Sequence, residues 1–132
     1  MSNGSAGVAS TPGQPGEVEL ALLSSPAQTG SEDEVLLYLV ARREQGTPVE
    51  GVLRMVLPDN VRAIRAWSAY GQLLQTSDHL VVSRERASSR LTPWILVLAQ
   101  VTGDSGRALQ VQGDMAWEGG SAMAPSLLLE TR

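Results

Sequence analysis

A single imidazole limits the chemistry open to this chain. His79 is the only histidine among 132 residues, and cysteine is absent. A histidine metal cluster, a thiolate metal site, a disulfide and a cysteine nucleophile are all excluded. A Ser/His/Asp triad would have to run through His79, and its neighbour Asp78 would, on a strand, point to the opposite face. His79 therefore reads as a surface or strand-edge side chain. The SEDE run at 31–34 offers carboxylates to a hard cation, but the spacing of a calcium loop is missing and consecutive side chains diverge. It reads as a solvated loop. Without lysine no GxxxxGK phosphate loop can exist, and no GxGxxG follows a strand. The expectation is a chain with no catalytic residue, no metal and no cofactor.

The chain is better supplied with groups for recognition. All ten basic residues are arginine, whose planar fork pairs with carboxylates and stacks on aromatic rings. Arg84 and Arg86 fall in the segment SRERASSR at 83–90, read as a strand end and loop, and Arg54 and Arg65 stand on strands of their own. Of the three tryptophans, Trp117 lies on a face that alternation assigns to the core. Trp67 and Trp94, with Arg and Ser nearby, are expected in the core as well, the alternative being an exposed interface anchor. Arg54, Arg65, Trp67, Arg84, Arg86 and Trp94 are thus the predicted partner-binding residues, and the partner expected is a protein or peptide. A net charge of −4 argues against nucleic acid.

Those side chains need a scaffold, and the apolar pattern describes one. A hydrophobic fraction of 42% with 18% charged residues is that of a globular chain, of a length that suits one core, able to fold alone or with copies of itself. Residues 1–16 are Gly, Ser, Ala, Pro and Thr with little that is large, and read as a disordered tail before a domain at 17–132. VELALL at 18–23 alternates, with Val18, Leu20 and Leu22 on one side. VLLYLVA at 35–41 is apolar on both sides and reads as a central strand covered on each face. At 49–58, Leu53, Met55 and Leu57 oppose Val52, Arg54 and Val56 before Pro58 stops the strand. Further strands are expected at 79–85, 94–101, 107–117 and 126–130, with loops at 25–34, 43–48, 103–106 and 118–125. Residues 59–75 fit two periods. A strand over 61–67 with a turn through Gly71 is favoured, and a helix with Ile64, Trp67, Tyr70 and Leu74 on one stripe is the rival.

Seven or eight short strands punctuated by turns predict an all-β, antiparallel two-sheet sandwich of immunoglobulin-like type, with one short helix near 60–75 as a variant. The segments VLLYLVARREQGTPVEGVLRMVLPDNVRAIRAW and TPWILVLAQVTGDSGRALQVQGDMAWEGG resemble the γ-ear type appendage of clathrin adaptors, and bacterial surface repeats share nearly the same strand order. The resemblance implies a shallow strand-edge site for short acidic, hydrophobic peptides. The family's basic strand falls where this chain has Gln110, Gln112 and Asp114, and its Ala-Val-Pro-Lys-like stretch falls on Met55 to Asp59, where Pro58 is kept and the cation is lost.

The functional expectation is a non-enzymatic protein-interaction module that binds at a strand edge. The alternative is a structural tile of a larger assembly, of virion-decoration or surface-layer type, using its N-terminal tail. With neither a signal peptide nor an apolar stretch near the ~20 residues of a membrane span, the sequence as given reads as cytoplasmic, without membrane insertion.

Overall fold

The computed structural model describes residues 8–10, 18–26, 34–102 and 108–130. Every described element is a strand: β1 (Val8–Ser10), β2 (Val18–Pro26), β3 (Glu34–Arg43), β4 (Val49–Val56), β5 (Val61–Ser68), β6 (Gln72–Ser77), β7 (Leu80–Ala87), β8 (Trp94–Val101), β9 (Ala108–Trp117), β10 (Gly120–Met123) and β11 (Leu127–Glu130). All pairings are antiparallel. Sheet I has the order β1-β2-β3-β8-β5, and sheet II the order β10-β9-β4-β7-β6, with β11 also on β9. The result is the all-β sandwich that the alternation predicts, an architecture consistent with an immunoglobulin-like domain.

Each strand contributes alternate side chains to one shared core, as period-two patterns require. Leu20 and Leu22, Leu37 and Leu39, and Ile95 and Val97 from sheet I meet Leu53 and Met55, Val81, and Val111 and Met115 from sheet II, and all of these are fully buried. Gly113 leaves room for this contact, since a Cβ there would stand 2.7 Å from a Leu39 methyl of the other sheet. The sets Val18/Leu20/Leu22 and Leu53/Met55/Leu57 point inward as expected.

The region 59–75 is two strands and no helix: β5 ends at Ser68, residues 69–71 turn, and β6 runs back along β7. The helical stripe fails because β5 has neighbours to pair with. Its backbone is bonded to β8 from Val61 to Ser68, while Val61 and Ala63 alternate into the core. A single extra residue, Ile64, bulges between Ala63 and Arg65 and resets the alternation.

Three strands exceed the sequence expectation. Val8–Ser10, inside the expected tail, pairs with Leu23–Ala21 of β2; the rest of 1–16 lies outside the described residues. β6 is too polar to show alternation. β10 falls within the expected 118–125 loop, where a two-residue turn with Gly119 at φ 95° folds it back on β9. The expected loop at 103–106 and most of that at 25–34, including residues 31–33 of the acidic run, also lie outside the described residues, while Ser25, Pro26 and Glu34 at its ends belong to β2 and β3 instead. Among the described residues no helix is long and apolar enough to cross a membrane.

Candidate interaction surface

The two outer faces of the sandwich differ sharply in character. On sheet II the outward positions include Glu50, Val52, Arg54 and Val56 on β4, Leu80, Val82, Arg84 and Arg86 on β7, and Gln110, Gln112 and Asp114 on β9, a set that mixes charged and polar side chains with four apolar ones. Arg54 opposes Asp114 across the β4–β9 pair and donates to both carboxylate oxygens, at 2.6 and 3.2 Å. That hydrogen bond first, and the charge second, hold the Arg54 guanidinium above its ordinary value. The Arg54 side chain is half exposed, so the pair is a solvated surface link of about 0–1 kcal/mol. An open depression of about 480 Å³ near Arg84 is lined by Glu50, Gly51, Val52, Ala116, Trp117 and Glu118.

The outward positions of sheet I are mostly apolar. Register places Leu23, Tyr38, Leu96 and Trp67 in one row across β2, β3, β8 and β5. Leu36 and Leu98 form the row on one side, and Val40 and Trp94 the row on the other. Tyr38 and Trp94 meet edge to face, with ring centroids 6.4 Å apart. Trp67 is 37% exposed, and the Arg65 guanidinium stacks on its ring at 5.2 Å. Around this patch stand Glu19, Glu34, Arg42, Arg62 and Gln100. Every described element belongs to one of the two sheets, so no described element covers this face.

The predicted partner-binding residues therefore do not form one site. Arg65, Trp67 and Trp94 share the outer face of sheet I, while Arg54, Arg84 and Arg86 lie on the opposite side of the molecule. Trp67 and Trp94, expected first in the core, are both outward, because the inward parity of β5 and β8 is taken by Val61, Ala63, Ile95, Val97 and Ala99. Trp117 does pack against the core, partly buried. The double-faced apolarity of 35–41 correctly marks a central strand, but its second face meets no described element. That same signal, repeated in 94–101, could have pointed to the patch.

One inward polar group has no counterpart in the sequence reading. Glu85 is 1% exposed. Its Oε2 accepts hydrogen bonds from Ser68 Oγ, at 2.5 Å, and from Ser83 Oγ, while its Oε1 has no partner. Ser68 Oγ also accepts from the Gly71 amide at 2.9 Å. This cluster ties the end of β5 to β7 across the two sheets. His79 does not join it. It stands in the turn between β6 and β7, not on the strand expected at 79–85, and donates from Nδ1 to the Val61 carbonyl at 2.9 Å. At ~3.3 Å per residue it lies about 20 Å along β7 from Glu85, too far for imidazole, acid and hydroxyl to act on one substrate. Among the described residues no group of His, Asp and Glu could hold a metal ion.

No known family model matches the chain, and no curated protein is similar to it. Fold and surface together define an all-β two-sheet sandwich with one mixed and one mostly apolar outer face.

Proposed function

We propose that this chain is a non-enzymatic protein-interaction module whose contact surface is the outer face of sheet I. The observation that carries the reading is the Leu23–Tyr38–Leu96–Trp67 row and its flanking rows, a contiguous apolar patch where a solvated sheet would alternate to polar residues. Its central aromatics and its ring of charged side chains match the anatomy of an interface, with an apolar middle and a polar rim.

This reading moves the contact from a strand edge to a sheet face. Both edges at one side of the sandwich are interrupted, β5 at Ile64 and β6 at Leu74, and bulges of this kind oppose the addition of a further strand. The adaptor-appendage resemblance lends a precedent for a sandwich that docks partners, without the family's basic strand. The structural-tile alternative has less support from the tail, because Val8–Ser10 pairs inside its own chain. The distance between His79 and Glu85 supports a non-enzymatic role.

Quantitative affinity capture with matched variants tests the proposal. A partner held by the native chain should be lost with Leu96→Lys and kept with Arg84→Glu, which alters the opposite face. Loss with Arg84→Glu alone, or substrate turnover that depends on His79 or Glu85, would sink it.

A further inference from the structure

The outward positions of β3 read Glu34, Leu36, Tyr38, Val40, Arg42: an acid, three apolar side chains and a base, at even spacing along the central strand of the patch. Such a series is complementary to itself when reversed. A two-fold axis lying in the plane of the face and running across the strands through Tyr38 lays β3 of one copy antiparallel over β3 of another. Glu34 then stands over the second copy's Arg42 and Arg42 over its Glu34, Leu36 meets Val40, and Tyr38 meets Tyr38. Resting on the reading above, we infer that the occupant of the sheet I face is a second copy of this chain, packed face to face about that axis.

Three observations carry this. Isologous contacts require a self-complementary patch, and a strand that is acidic at one end and basic at the other supplies one. An axis running along β3 itself would instead set Glu34 over Glu34 and Arg42 over Arg42, like charge against like. Next, among the described residues Arg42 forms an ion pair with Glu44 whose side chains are each more than half exposed. It is a solvated pair that association can rearrange at little cost. Finally, size suffices. Four strands about 4.8 Å apart, with the nine or ten residues of β2 and β3 at ~3.3 Å each, span roughly 19 by 30 Å, or about 550 Å² in projection. Corrugation by Tyr, Trp and Leu raises the accessible area to the lower part of the ~600–1,000 Å² per partner found in specific interfaces. Sheets stacked in this way pack about 10 Å apart, with strands turned by about 30°, so the central rows stay in contact while Glu34 and Arg42, about 13 Å from the axis, are offset by about 7 Å and must meet through their long side chains.

The test is sedimentation velocity on the full chain across a concentration series. The native chain should form a dimer. Tyr38→Lys and Tyr38→Glu, each placing a charge against its own copy on the axis, should each be monomeric, and mixing the two should restore a dimer. At the rim, Arg42→Glu alone should weaken association at least about tenfold, and Glu34→Arg with Arg42→Glu in one chain should recover it. The rim pair keeps the test decisive if a Tyr38 variant does not fold. A native chain that stays monomeric throughout, or a dimer indifferent to both sets of substitutions, overturns the inference. If the monomeric native chain still captures a different protein through Leu96, the second copy is wrong and the interaction face stands. If it captures nothing through that face, both fail.

Discussion

Glu85 shows what a single buried residue can demand of its neighbours. Its carboxyl has left water for the sandwich interior and is compensated at one oxygen only, by Ser68 and Ser83. Shortening it to Ala would leave two hydroxyls without their acceptor and open a cavity, a combined cost of about 2–4 kcal/mol. Urea unfolding should show that loss for Glu85→Ala. The triple change Ser68→Ala, Ser83→Ala and Glu85→Leu, which removes donors and acceptor together, should cost clearly less. A triple variant as unstable as Glu85→Ala would contradict this account of the cluster. Nothing in the sequence flagged Glu85, because SRER reads as a charged strand end until register turns Ser83 and Glu85 inward and Arg84 and Arg86 outward. Trp67 was misplaced for a related reason. A tryptophan beside arginine on an alternating strand fits either face, and the bulge at Ile64 decides which one it takes.

At the scale of elements, chain order was legible wherever alternation was clean and one face was wet. Val18/Leu20/Leu22 and Leu53/Met55/Leu57 took their predicted inward places because one choice of register buries all of them and the other buries none. β6 and β10 escaped notice because neither is marked by alternation: β6 is largely polar and β10 is a four-residue Gly-Ser-Ala-Met strand, each packing one side chain, Leu73 or Ala122, against the core and held by its backbone bonds to β7 or β9. Close approach of strands within sheet II leaves its own mark at Gly51. This residue of β4 sits between Trp117 on β9 and Glu85 on β7, and a Cβ there would run into the Ala116 carbonyl and stand 3.0 Å from the Trp117 Cβ. Because backbone and not a flexible side-chain tip must yield, Gly51→Ala should destabilise by about 1–3 kcal/mol in thermal or urea unfolding. A neutral result would mean that β4 and β9 are less tightly apposed than described.

For the whole molecule, the main feature is the contrast between its two outer surfaces. Both sheets bury their inner faces in one core, yet sheet II presents arginine, glutamine and carboxylates outward among valine and leucine, while the middle of sheet I presents leucine, valine, tyrosine and tryptophan. The fold class followed from strand-length apolar runs and turn residues. The asymmetry did not, because a strand apolar on both sides predicts burial on both sides without saying what does the burying. The most direct check is hydroxyl-radical footprinting of the chain in cells against the dilute purified chain. Tyr38, Trp67 and Trp94 report on the sheet I face, while Met123, 63% exposed and paired with Asp114 on sheet II, serves as the control away from it. The account predicts several-fold protection of Tyr38, Trp67 and Trp94 in cells with Met123 unchanged. Equal labelling of the face in both settings, or protection confined to Met123, would contradict it.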